Sequence, residues 1–127
     1  MRHAFPSLTD AAHLLERGET TASALVEEAL ARAQEGEGPR AFTMLHTKAA
    51  RDSALAMDAL RRAGRAPSRF AGIPITVKDL FDEAGHVTRA GSVALADAPP
   101  AVATAPAVAR LERAGFIVIG RTNMVEF

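Results

Sequence analysis

Cysteine is absent from the 127 residues, and tryptophan and tyrosine are absent as well. Without cysteine the chain has no disulfide scaffold, no thiolate zinc site and no cysteine nucleophile. The histidines are few and far apart in the sequence, with none of the spacings that bind a metal. They are His3, His13, His46 and His86. We therefore expect neither a metal site nor a metal cofactor.

An excess of charge of one sign is also missing, since 15 Lys and Arg residues balance 15 Asp and Glu residues. No basic stripe stands out, which argues against direct binding of nucleic acid. The first residues, "MRHAFPSLTD", lack the apolar core of a signal peptide. No window approaches the length of an apolar membrane span. These absences predict a cytoplasmic chain with neither a nucleic acid nor a membrane as its direct partner.

The first half of the sequence carries helical patterns. Ser7 and Asp10 have capping-box spacing, and Gly18 is a typical helix stop. Thr20 or Thr21 is expected to cap a second helix, whose apolar residues recur at helical spacing. A short strand, "AFTML", and an alanine-rich helix over 47–63 follow. We interpret these elements as packing helices without chemistry.

The second half reads as strand, long loop, helix and strand. "GIPITV" is a β-branched run, and a Gly- and Pro-rich loop follows it. Thr104 is expected to cap a helix from Ala105 to Ala114. "FIVIG" has no polar break, which is typical of a parallel strand covered on both faces. The pattern predicts an α/β fold with no domain boundary inside the chain.

Lys78 ends the first of these strands and has two interpretations. In a strand over 73–77 it would share a face with Pro74 and Thr76, at the carboxyl end where open α/β sheets bind ligands. Strand-end lysines commonly extend their ammonium groups to water, and Asp79 could pair with it at the surface. A lysine buried by apolar neighbours instead loses its charge more easily and can accept a proton from a serine hydroxyl. Pattern alone favours the first interpretation.

Two longer blocks change that balance. "AGIPITVKDLFDEAGHVTRAGS" and "TAPAVARLERAGFIVIGRTNMVEF" together resemble the amidase signature family, and the N-terminal helices are similar to that family too. The resemblance implies the N-terminal part of a mixed-sheet amidase-signature domain with helices on both faces. Residues 1–127 would be an incomplete N-terminal segment of that single domain. The family commonly has Asp where this chain has Thr104, a small departure.

The resemblance implies an amidase that hydrolyses the C–N bond of a small-molecule carboxylic amide without a cofactor. Lys78 matches the base of the family's Ser–cis-Ser–Lys triad. The two serines belong to a Gly/Ser-rich stretch that these residues do not contain, and neither Ser68 nor Ser92 lies in a matching motif. The 127 residues alone are therefore expected to be inactive. Two alternatives are a non-catalytic truncated module and a glutamine-using transamidase subunit that works with a tRNA-binding partner.

Other residues are expected around the lysine rather than in the chemistry. Gly91 and Ser92 match the family's Gly-Ser and are predicted to form a tight turn that lines the substrate site. Asp79 is predicted to accept backbone N–H groups of the following loop. Asn123 and Glu126 have capping-box spacing and a predicted structural role. His86 is expected to be a solvated loop residue.

Overall fold

The computed structural model describes residues 3–124. It has helices on a three-stranded mixed sheet, which confirms the predicted α/β class. The helices are α1 Leu8–Glu16, α2 Ala22–Ala33, α3 Gly38–Ala41, α4 Thr47–Arg62 and α5 Pro106–Arg113. The strands are β1 Phe42–Leu45, β2 Pro74–Lys78 and β3 Ile117–Thr122.

The first two helices begin where local capping chemistry places them. Ser7 Oγ accepts a hydrogen bond from the Asp10 amide at 3.1 Å, and Thr21 Oγ1 accepts one from the Ala24 amide at 3.0 Å. Gly18 follows α1 with φ of +70°, a conformation that glycine adopts at no steric cost. The predicted start at Ser7 is confirmed, and Thr21 is the cap of α2 out of the two candidates, Thr20 and Thr21.

The sheet has the order β1-β3-β2, with β3 in the centre. β2 runs parallel to β3, and β1 runs antiparallel to it. The parallel ladder pairs Val77 with Arg121 and Lys78 with Thr122. The predicted order of strand, loop, helix and parallel strand is confirmed. The carboxyl ends of β2 and β3 consequently lie side by side, and the loop after β2 starts there.

Two local details differ from the sequence prediction. α5 begins after Ala105 without a side-chain cap, because Thr104 Oγ1 accepts a hydrogen bond from the Ala84 amide at 3.0 Å instead. The hydroxyl therefore holds the long loop rather than the helix. The second detail is α3, a single turn containing Pro39, which was not predicted from the sequence.

The core consists of small and branched apolar side chains between the helices and the sheet. One cluster joins α2 and α4 to β3 and is formed by Ala22, Val26, Leu30, Ala50, Ala54, Ile117 and Ile119. A second joins α1 and α2 to the start of β2 and is formed by Ala11, Ala12, Leu15, Leu25 and Ile73. Within residues 3–124, no helix is both long and apolar enough to cross a membrane.

Close backbone contact holds the two parallel strands together where they begin. The Gly72 amide donates to the Gly115 carbonyl at 2.8 Å. Gly115 has φ of +96°, and a Cβ there would lie 2.6 Å from the Ala71 Cβ. Any side chain at 115 would therefore both strain the backbone and push these segments apart.

Candidate functional site

Lys78 is the last residue of β2. Its side chain is not buried by apolar neighbours in the way that the interpretation of Lys78 as a proton acceptor required. Thr76 and Lys78 are exposed while Val77 between them is 4% exposed, which agrees with the predicted alternation of faces. The apolar flanks do not bury the lysine, because Val77 points to the opposite face and the two nearby apolar residues, Leu80 and Phe81, are themselves partly exposed. Residues 3–124 leave the Lys78 side chain in contact with solvent.

The backbone around Lys78 is firmly held even though its side chain is exposed. The Lys78 carbonyl accepts hydrogen bonds from the amides of Leu80 and Phe81, at 2.7 and 3.1 Å. The Asp79 amide donates to the Thr122 carbonyl, and the Asp79 carbonyl accepts from the Ala90 amide, both at 2.9 Å. The chain thus turns sharply after the lysine and is tied both to β3 and to the loop around Ala90.

A buried arginine lies beside this turn. Arg121 of β3 is only 1% exposed, and its guanidinium contacts three points of the loop that follows Lys78. Nε and Nη2 donate to Asp79 Oδ1 at 3.0 and 2.9 Å. Nη2 also donates to the Phe81 carbonyl at 2.8 Å, and Nη1 donates to Glu83 Oε2 at 2.7 Å. A buried guanidinium needs such complete pairing, since an unpaired buried charge is strongly unfavourable.

Sequence reasoning missed this ion-pair network. The sequence shows Arg121 only as part of the G-R-T-N motif, and the expected donors to Asp79 were backbone N–H groups, whereas the partner found is a guanidinium. The one available signal was a single arginine directly after the apolar run "FIVIG". A charge in that position on a central strand needs partners inside the protein, and Asp79 and Glu83, from the block that contains Lys78, supply them.

Glu83 extends the network to a histidine at the end of β1. Its Oε2 lies 3.2 Å from His46 Nε2 as well as 2.7 Å from Arg121 Nη1. Burial by itself raises the pKa of Glu83, but hydrogen bonds from His46 and Arg121 outweigh it, and the net pKa lies below the ordinary value. The pKa of Glu112 is raised, first by burial and then by the negative charge of Glu83. Glu83 is therefore held as a carboxylate.

His86 is not the solvated loop residue that the sequence predicts. It is half-buried, and its ring lies 4.7 Å from the ring of His46, tilted by 35°. The two histidines, Glu83 and Glu112 are among the residues that line a cavity of about 460 Å³. Across the described part of the chain, no group of three or more His, Cys, Asp or Glu residues has an arrangement that could hold a metal ion.

Gly91 and Ser92 form the tight turn that the sequence predicted. Ala90 and Gly91 have φ of +49° and +70°, so two consecutive residues are left-handed. The Ser92 amide donates to the Arg89 carbonyl at 3.0 Å. Ser92 Oγ accepts from the Ala94 amide at 3.2 Å and starts a short 3₁₀ turn over Val93–Leu95. Whether this turn lines a substrate site stays a prediction.

Four of the predicted residues come together around one small cavity of about 180 Å³ at this edge of the sheet. They are Asp79, Gly91, Ser92 and Asn123. Lys78 is adjacent in the chain but is not among the described residues that line the cavity. The Asn123 side chain accepts from the Met124 amide at 2.9 Å. Glu126, the other half of the predicted capping box, lies outside the described residues.

Most of this chain is similar in sequence to known proteins. A family model described as "Amidase" matches residues 24–127. The AtzE subunit of the 1-carboxybiuret hydrolase of Pseudomonas sp. (strain ADP) is 42% identical over 111 residues, covering 87% of this chain and 24% of that protein. A glutamyl-tRNA(Gln) amidotransferase subunit of Salinispora arenicola (strain CNS-205) is 39% identical over 123 residues, covering 95% and 25%.

A solved structure agrees with these sequence matches. The native peptide amidase from Stenotrophomonas maltophilia superposes with a TM-score of 0.84 at 33% identity. The superposition covers 97% of this chain and 26% of that one. The chain spans about a quarter of the length of the curated relatives that it matches.

Proposed function

The chain belongs to the amidase signature family, and from that premise we propose that the protein hydrolyses a small-molecule carboxylic amide with Lys78 as its base. The observation that supports this role most directly is the position of Lys78. It ends β2 beside the end of β3, next to the cavity lined by Asp79, Gly91, Ser92 and Asn123. Ligand sites of open α/β sheets form at such carboxyl edges.

In the proposed reaction, a serine from the remainder of the domain attacks the amide carbonyl carbon. Its hydroxyl proton passes to a second serine, held in a cis peptide, and from there to the Lys78 amine. The C–N bond then breaks, and the leaving amine takes this proton back from Lys78 through the second serine. A water molecule hydrolyses the acyl-enzyme, which releases the carboxylic acid and restores the serine. No metal or organic cofactor takes part in this scheme.

Lys78 must be neutral to accept a proton, and in residues 3–124 its side chain is exposed. We propose that the remainder of the domain covers it, because desolvation disfavours the ammonium form of a lysine. The partly exposed Leu80 and Phe81, which lie just beyond it in the chain, supply apolar surface for that covering.

A second candidate function is glutamine-dependent transamidation, in which the released amine is passed on instead of lost. It is favoured by the 39% identity to a glutamyl-tRNA(Gln) amidotransferase subunit. A protein of that kind would act with other subunits. The cytoplasmic location expected from the sequence is compatible with both functions and stays a prediction.

The test is Lys78→Ala in a protein that joins this segment to the serine-bearing remainder of the domain. We expect amide hydrolysis to fall below detection while the fold is retained, because the proton relay then has no acceptor. Lys78→Arg is expected to fail as well, since a guanidinium does not release its proton at accessible pH. Thr76→Ala, on the same exposed face of β2, is the matched control and should retain activity.

Near-normal hydrolysis by Lys78→Ala would overturn the proposal. Residues 1–127 alone serve as the negative control, because they lack the predicted nucleophile. Measuring ammonia release from glutamine and from a panel of simple amides, with and without charged tRNA, separates the hydrolase from the transamidase. A protein that carries both serines and is inactive on every substrate would favour the non-catalytic alternative.

A further inference from the structure

We propose that Arg121 is the residue that positions Lys78, by holding the turn that directly follows it. This inference rests on the proposed function of Lys78 and adds a second residue to it. Arg121 lies on the neighbouring strand, and its Cα is paired in the ladder with Val77, one residue before the lysine. Its side chain therefore starts beside the end of β2 and extends under the loop.

The orientation of Lys78 depends on its backbone. Within residues 3–124, the Lys78 side chain has no hydrogen bond and no ion pair with another residue, so no polar contact among these residues fixes its direction. The path of the main chain sets the position and the direction from which that side chain starts, through the Cα–Cβ bond. The contacts that fix the backbone of the turn over residues 78–81 consequently position the Lys78 side chain.

Arg121 fixes the turn at alternate residues. Its four hydrogen bonds go to the Asp79 carboxylate, the Phe81 carbonyl and the Glu83 carboxylate. The three acceptors lie on one side of the loop, and a single planar guanidinium contacts all of them. The guanidinium spans these acceptors because its N–H donors form a rigid planar fork, whereas a lysine ammonium is a compact point charge that does not reproduce this geometry.

We call the contacts of Arg121 with Asp79, Phe81 and Glu83 the Arg121 clamp. Burial strengthens the ion pairs of this clamp. The side chains of Arg121, Asp79 and Glu83 are 2%, 3% and 9% exposed. Solvent screens such pairs much less than it screens pairs on the surface. Two carboxylates face the single charge of Arg121, and the ring of His46 contacts the second of them. Loss of the guanidinium would leave two buried carboxylates without their shared countercharge.

A purely structural arginine would give stability alone, and the experiment separates the two roles. In the serine-bearing protein, Arg121→Lys keeps the charge and removes the fork. We expect kcat to fall by about 10- to 100-fold, since a misplacement of about 1 Å costs up to about 10²-fold. KM should change much less than kcat, because Arg121 is not among the described residues that line the small cavity. Arg51→Lys, in the exposed pair with Glu27 on the helices, is the matched control and should leave kcat unchanged.

The deciding measurement is a double-mutant cycle with Lys78→Ala. The readout is the rate at which a phosphonyl fluoride labels the serine nucleophile, which stays measurable when turnover is lost. If Arg121 acts through Lys78, then Arg121→Lys slows labelling in the wild-type background and has no further effect in Lys78→Ala. An equal slowing in both backgrounds, or a lower melting temperature with unchanged labelling, would overturn the inference.

Two safeguards keep the test decisive. If Arg121→Lys fails to fold, Glu83→Gln and Asp79→Asn weaken the clamp one contact at a time and enter the same cycle with the same expected outcomes. Failure of the proposed function is distinguishable, because it appears as normal labelling in Lys78→Ala alone, whatever Arg121→Lys does.

Discussion

Two buried aspartates lie in different regions of the molecule and have different kinds of partner. Asp58 of α4 lies in the helical layer and accepts hydrogen bonds from the amides of Ala22 and Ser23, at 2.7 and 3.1 Å, and from the Ser23 hydroxyl at 2.8 Å. Asp79, at the carboxyl edge of the sheet, is paired with a buried guanidinium.

The two regions therefore differ in their electrostatics. The helical layer buries a carboxylate among neutral donors, whereas the carboxyl edge of the sheet contains a buried ion pair. Asp58 meets neutral donors at the N-terminus of α2, where the helix dipole favours a negative charge. It joins two helices and needs no countercharge. Asp79 and Arg121 require each other, because either one alone would be an unpaired ion inside the protein. Enzymes commonly place such charge where their chemistry takes place, and here it lies beside Lys78.

The largest effect on this comparison is expected from Asp79→Ala. It leaves Arg121 buried with one carboxylate instead of two, which costs about 3–5 kcal/mol. Activity should fall together with stability, because the turn after Lys78 loosens. Thermal unfolding and kcat, measured on the serine-bearing protein, check both. An active variant with unchanged kcat would separate Asp79 from the site.

Asp58→Ala should have a smaller effect of another kind. The amides of Ala22 and Ser23 lose their acceptor, which costs about 1–3 kcal/mol in the free energy of unfolding. Because the change lies in the helical layer, kcat of the folded protein should be unchanged. Asp58→Asn, which retains an acceptor oxygen, should lose less stability. A large fall in kcat with a normal melting temperature would contradict the division between the two regions.

The smallest effect is a difference in acid sensitivity. Since the folded pKa of Glu83 lies below its ordinary value, its ionised form stabilises the fold above the unfolded pKa, and this stabilisation is lost as the pH falls through the folded pKa. Glu83→Gln should therefore lower stability at pH 7 and weaken the pH dependence on the acid side. The pKa of Glu27 in the helical layer is also lowered, first by its hydrogen bond to Arg51, but that pair is exposed.

The control for this prediction is therefore Glu27→Gln. Its effect should be smaller and should vanish in high salt, because solvent ions screen exposed pairs. Melting temperatures at several pH values, with and without added salt, make the comparison. Equal salt dependence in both variants would contradict the buried character of the Glu83 pairs.

Much of the fold could be predicted because its causes are local. Ser7 and Thr21 cap helices through hydrogen bonds to amides three residues away, so a short window contains the whole interaction. The apolar run of β3 likewise carries its own signal for a buried strand. Thr104 shows the limit of such reasoning, since its hydroxyl bonds the amide of Ala84, 20 residues earlier, and not the helix it precedes.

The sequence alone determined the class of fold, the starts of α1 and α2, the parallel pair of strands and the blocks that mark the amidase signature family. It also singled out Lys78 and the turn at Gly91 and Ser92. These features depend on periodicity, on local capping and on contiguous motifs, all of which a linear chain displays directly.

Tertiary structure decided the rest. It left Lys78 exposed, brought the rings of His46 and His86 within 4.7 Å of each other, and joined Arg121 to carboxylates 42 and 38 residues away. The reason is physical: burial and charge pairing depend on which segments meet in space. A buried arginine requires acidic partners inside the protein. The fold determined that these partners are Asp79 and Glu83, in the loop that follows Lys78.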